Sequence, residues 1–142
     1  MHFAQVPYAR NPNAPIGQLV LLLTTTGRKS GQARVTPLQY EEVDGVAYVA
    51  SARGTEADWY RNLVACPQVQ VQIGSRRFSA LAELIADPQR IADFLELRLK
   101  RHPRMIGMMM LLEGLPPHPR REQLEHAAVR LALVALHPRS PA

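Results

Sequence analysis

Three runs dense in aliphatic and β-branched residues follow one another with almost nothing between them: QLVLLLTTT from Gln18, ARVTPLQYEEV from Ala33 and VAYVASA from Val46. Such runs read as strands. The first two are parted by Gly27-Arg28-Lys29-Ser30-Gly31, with a glycine at each end, and the next two by Asp44-Gly45. An Asp-Gly pair between apolar runs is a strong signal for a two-residue hairpin. Strands joined this tightly are antiparallel neighbours. Pro37 lies inside the second run and cannot donate to a ladder, so a bulge or an edge strand is expected there.

The rest of the chain adds helices without repeating a β-α-β unit. Residues 56–64 read as a short helix closed by Pro67, and Gln68 to Ile73 alternates strictly, with Gly74-Ser75 turning into a further strand over 76–84. From Asp87 to Arg101 the pattern is helical: Asp87 can cap it, Pro88 suits its first turn, and Ile91, Phe94, Leu95 and Leu99 make one stripe. His102-Pro103 ends it. Met105 to Leu112 reads as an apolar helix, Pro116 to Pro119 as a rigid connector, 120–128 as a short helix and 129–136 as a last apolar strand. Residues 1–15, rich in Pro and Asn, read as an extended arm. Five or six mostly antiparallel strands with inserted helices predict a mainly β single domain over residues 1–142, a small closed or partly open barrel rather than a Rossmann fold.

With 142 residues the chain is long enough to bury a core without staples, and its single cysteine, Cys66, excludes an internal disulfide and a C-x-x-C site. Neither a signal peptide nor a transmembrane segment is read, so a cytoplasmic location is expected. The net charge is +5, and residues 1–40 hold Arg10, Arg28, Lys29 and Arg34 with no Asp or Glu. A field of that sign attracts an anion: a phosphorylated cofactor, an acidic substrate or nucleic acid. With aromatics at 6% and no interleaved basic-aromatic stripe, a nucleic-acid partner is disfavoured. There is no G-x-S-x-G elbow, P-loop or G-x-G-x-x-G, and His2, His102, His118, His126 and His137 lack metal-ligand spacing. Glu41, Glu42 and Asp44 flank a hairpin and read as solvated turn charges. No catalytic side chain is singled out and no metal site is expected; an enzyme built this way needs a bound cofactor to supply the reactive atom.

Thr24-Thr25-Thr26-Gly27-Arg28-Lys29-Ser30-Gly31 is composed like an anion cradle. Hydroxyls lead in, glycines free the backbone so its N–H groups can converge, and Arg28, Lys29 and Ser30 add donors, with Arg34 just beyond. A solvated basic hairpin tip has the same composition.

The ordered segments LLLTTTGRKSGQARVTPLQY, VASARG, DWYRNL and CPQVQVQIG resemble the deazaflavin-dependent nitroreductase family, split β-barrels related to the FMN-binding, pyridoxamine-oxidase-like barrels. The resemblance covers about Leu21 to Leu84. It implies coenzyme F420 as cofactor, with Thr26, Gly27, Arg28, Lys29, Ser30 and Gly31 as the loop that grips its phosphate and acidic tail and Arg34 as a nearby cation. It also implies that Pro37 and Leu38 lie against the deazaflavin ring, Ala50 and Ser51 on its other side, and Trp59 and Asn62 close the site. Trp59 can equally be a core aromatic, and Asn62 a loop brace. The family's A-S-x-G-G becomes Ala50-Ser51-Ala52-Arg53-Gly54, so Arg53 is either an added tail-binding cation or a narrowing of the pocket. The methionines of 105–112 are either core filler or an adaptable wall over a substrate.

The activity so implied is transfer of hydride from reduced deazaflavin to a small-molecule acceptor: an enone, a quinone or a nitro compound. An FMN- or haem-type split barrel and a non-catalytic F420 carrier are the alternatives. A homodimer is expected by analogy.

Overall fold

The computed structural model describes residues 20–139. The arm expected over 1–15 and the first residues of the opening strand lie outside them. Among the described residues there are seven strands: β1 (Val20–Thr26), β2 (Ala33–Gln39), β3 (Glu41–Val43), β4 (Val46–Ser51), β5 (Gln68–Ile73), β6 (Arg76–Ile85) and β7 (Ala132–Pro138). The α-helices α1 (Asp58–Ala65), α2 (Pro88–Arg101), α3 (Pro103–Leu112) and α4 (Arg121–Ala128) join them, with a short 3-10 turn over Gly54–Glu56 ahead of α1. The sheet runs β2-β1-β5-β6-β7-β4-β3, and every neighbouring pair is antiparallel.

The expected second strand, 33–43, is divided at Tyr40, and this division closes the fold. Its halves, β2 and β3, occupy the two opposite edges of the sheet. Across a flat sheet they would stand about 29 Å apart at ~4.8 Å per strand, whereas a single intervening residue spans about 7 Å. The sheet must therefore curl until its edges meet, which gives the split barrel expected from the sequence. The extra strand made by the division raises the count from the expected five or six to seven. Pro37 sits opposite Leu22 in an unbroken register, on the edge strand where its missing N–H does no harm.

Curling creates two apolar compartments. Leu21 and Leu23, Ala47 and Val49, Val69 and Val71, Ala80, and Ala132, Val134 and Leu136 face the barrel interior, where Trp59, Tyr60 and Leu63 of α1 join them. Outside, Ile91, Phe94 and Leu95 of α2, Ile106 and Met110 of α3 and Leu124 of α4 cover Leu133, Ala135 and the partly buried Tyr48 and Ala50. β7 thus has both faces covered, which is why it reads as a continuous apolar run rather than an alternating one. It starts at Ala132 instead of Val129, because Arg130 and Leu131 donate their N–H groups back to Ala127 and Ala128 as α4 unwinds. Local punctuation is as read: Asp44 (φ +51°) and Gly45 (φ +81°) make a primed turn, and Asp87 Oδ1 accepts the Gln89 N–H at 2.9 Å as α2's cap. None of the described helices is long and apolar enough to cross a membrane.

Glu41 corrects the reading of turn charges: its side chain is only 2% exposed. It sits just past the break at Tyr40, where Arg98 Nε lies 3.3 Å from Oε2 and Arg101 Nη1 3.2 Å from Oε1, with His102 Nε2 also 3.3 Å from Oε2. Arg98 Nη2 donates to Gln39 Oε1 at 2.6 Å, so one guanidinium ties the end of β2 to the start of β3. Burial pushes the Arg98 guanidinium below its ordinary value, and Glu41 opposes that shift. Removing one partner of a buried pair leaves the other charge stranded. Glu41→Ala is expected to lower stability by about 3 kcal/mol in urea unfolding; a loss below about 1 kcal/mol would show that the clamp is not what holds the bent strand.

Candidate functional site

The link from β1 to β2 is a turn that the backbone closes twice. The Gly27 N–H donates to the Gln32 carbonyl at 2.7 Å, and the Gly31 N–H to the Gly27 carbonyl at 2.8 Å. Ser30 Oγ accepts from the Gln32 N–H at 3.1 Å. The turn leaves no room for a side chain at Gly27: a Cβ there would lie 2.7 Å from Ser30 Oγ and 3.2 Å from the Gln32 carbonyl oxygen.

Helix α1 holds this turn in place. Its apolar residues, Trp59, Tyr60 and Leu63, are anchored in the barrel interior, and the Trp59 and Tyr60 rings meet edge to face at 6.2 Å. Asn62, 4% exposed, faces the turn. Asn62 Oδ1 accepts from the Arg28 N–H at 3.2 Å and from Arg28 Nη1 at 2.9 Å, and Asn62 Nδ2 donates to Thr25 Oγ1 at 3.2 Å. One amide thereby joins strand, turn and helix. Arg28 also reaches α1's first residue, through Nη2 to Asp58 Oδ1 at 3.2 Å and Nη1 to the Asp58 carbonyl at 3.4 Å.

Between turn, β2 and α1 lies an open cleft of about 650 Å³. Arg28, Lys29 and Arg34 line it, with Ser30, Gly27 and Thr36, and Trp59 and Asn62 at its α1 side. Lys29 and Arg34 are exposed and, among the described residues, have no acidic partner. Three cations with backbone and hydroxyl donors around one open space form a seat for an anion.

The family model of F420H(2)-dependent quinone reductases matches residues 7–104. The chain belongs to that family. A curated relative, an F420H(2)-dependent quinone reductase of Mycobacterium tuberculosis, is 45% identical over 78 residues, which cover 52% of this chain and 50% of that protein. The chain thus spans about half the length of the curated relatives it matches. Among solved structures, an F420-H2 dependent reductase superposes with a TM-score of 0.58 at 22% identity, covering 84% of this chain and 95% of that one. The heme storage protein from Vibrio cholerae gives a TM-score of 0.59 at 17% identity, covering 95% and 87%. At such identities these two speak for the fold alone.

Of the positions named from the resemblance, Gly27, Arg28, Lys29, Ser30, Arg34, Trp59 and Asn62 meet at the cleft. Thr26 ends the strand that leads into the turn, and Gly31 closes the turn at φ +73°. Pro37 and Leu38 continue β2 past the cleft, Pro37 exposed and Leu38 packed against the interior cluster. Ala50 packs towards the outer helices; Ser51 is 3% exposed, with Oγ lacking a partner among the described residues. Arg53 is exposed and outside the cleft lining. Trp59 is both core aromatic and cleft wall, and Asn62 is a brace that also lines the cleft. Helix α3 contributes none of the lining; Ile106 and Met110 fill the outer compartment. Asp58, which opens the DWYRNL segment but is given no role by the resemblance, lines the cleft as well. It precedes Asn62 by four residues, the spacing that places two side chains on one helix face.

Asn62→Ala removes three hydrogen bonds and leaves Thr25 Oγ1 and the Arg28 N–H with nothing opposite. A loss of about 2 kcal/mol is expected in urea unfolding, with faster amide exchange at Arg28; unchanged exchange there would mean that the turn holds its shape without the brace. Gly27→Ala forces Ser30 Oγ and the Gln32 carbonyl apart, with an expected cost of about 1–2 kcal/mol in thermal unfolding, and a neutral effect would count against the tight closure.

Proposed function

We propose that the chain binds coenzyme F420 in this cleft and catalyses hydride transfer from its reduced form to an electron-poor small molecule of the quinone class, with enones and nitro compounds as further acceptors. The observation that carries the reading is the basic cleft built by the β1–β2 turn and α1 in a chain of this family. The residues present fit an anionic group: Lys29 and Arg34 are exposed cations without acidic partners among the described residues, and Ser30 and the turn backbone offer donors beside them.

In this reading Lys29, Arg34 and Arg28 hold the phosphate and the acidic tail, while Asn62 keeps Arg28 and the turn in position. Trp59 walls the cleft on the α1 side, a rigid apolar surface that helps exclude water. The deazaflavin, when bound, supplies the hydride. The protein's part is to fix donor and acceptor in reach of each other, which needs orientation rather than a nucleophile. The proton that completes reduction of a quinone can come from water, since the reduced oxygen is basic.

Fluorescence titration of the full chain with F420 and, separately, with FMN tests the assignment. Saturable F420 binding is expected, weakened about tenfold or more by Lys29→Ala combined with Arg34→Ala and falling as salt rises. Binding of FMN but not F420 would overturn the cofactor; F420 binding without turnover across a quinone panel would make the chain a carrier instead of a reductase.

A further inference from the structure

Among the described residues lining the cleft, Asp58 is the one carboxylate, set among Arg28, Lys29 and Arg34. Its side chain is 83% exposed, while that of Arg28 is 23% exposed. The two ends of the Arg28 guanidinium are held differently. Nη1 is fixed by neutral acceptors, Asn62 Oδ1 at 2.9 Å and the Asp58 carbonyl at 3.4 Å. Nη2 meets the Asp58 carboxylate through a single contact of 3.2 Å. An exposed, single-contact pair is weakly held, because both water and salt compete for it. The carboxylate can therefore leave while Asn62 keeps Arg28 aimed at the same place.

We propose that Asp58 is an internal counterion: it occupies Nη2 of Arg28 until an anionic group of the ligand displaces it, and so holds the cleft's affinity for anionic ligands below what its three cations alone would give. The inference rests on the reading of the cleft as the seat of an anionic cofactor. A neutral ligand gains nothing from the exchange, and a singly charged one trades one carboxylate for another anion. A phosphate with a chain of carboxylates engages Lys29 and Arg34 and must displace Asp58 to reach Arg28, so the Asp58 charge weakens its binding while leaving that of a neutral ligand unchanged. Had the carboxylate instead been needed to aim Arg28, its removal would weaken binding, so the sign of the effect separates the two roles.

The test is fluorescence titration of the full chain and of Asp58→Asn, at about 0.02 M and about 0.5 M salt, with F420 and with the phosphate-free, tailless deazaflavin chromophore. Asp58→Asn is expected to bind F420 about three- to tenfold tighter at low salt. The gain should shrink at high salt, and affinity for the tailless chromophore should not change. Weaker or unchanged F420 binding by Asp58→Asn overturns the counterion role, as does an equal gain with the tailless chromophore. Failure of the unsubstituted chain to bind F420 at either salt concentration instead overturns the cofactor assignment on which the role stands.

Discussion

Chain continuity through Tyr40 is the constraint from which the rest of the structure follows. Two strands one residue apart in sequence stand at opposite edges of a seven-stranded sheet, and covalent geometry leaves the sheet no choice but to curl. The corner is secured electrostatically. Glu41 lies buried beside it, gripped from α2 by Arg98 and Arg101, and Arg98 also holds Gln39 on the other side of the break. Burial of that carboxylate is tolerable only because cations meet both its oxygens. Closure then separates an interior compartment, where α1 docks, from an exterior one that α2, α3 and α4 cover.

The cleft inherits its rigidity from that closure. Helix α1 is fixed by Trp59, Tyr60 and Leu63 inside the barrel, and through Asn62 it passes that rigidity to a turn of small and basic residues that has no apolar anchor of its own. Placing Arg28, Lys29 and Arg34 around one space costs the protein some repulsion, which an anion seated there would relieve. Asp58 at the helix start offsets part of it in the meantime, where its charge also complements the helix dipole.

What could be read in advance was local chemistry. Asp44-Gly45 makes its turn because those residues accept positive φ, Asp87 caps because its side chain reaches an N–H two residues on, and Gly27 to Gly31 turn as their composition demands. The family resemblance extends this to the cleft, where Arg28, Lys29, Arg34, Trp59 and Asn62 are neighbours. Glu41 was misread, and for a physical reason: the charges that bury it lie 57 and 60 residues away, and nothing near Glu41 announces them. The break at Tyr40 was missed likewise, since an unbroken run of strand-forming residues carries no mark of which edge each half will join.

By itself the sequence determined which segments extend, which coil and where each turn falls, because φ/ψ preference, capping and the spacing of apolar residues act over a few neighbours. It also determined that positive charge gathers at the first turn. Only the tertiary structure decided that Asn62 and Asp58 divide the Arg28 guanidinium between them, that Trp59 serves core and cleft at once, and that the two halves of one extended run join opposite edges of the sheet. Those are distances between residues remote in the chain, and they exist only once closure has brought the elements together.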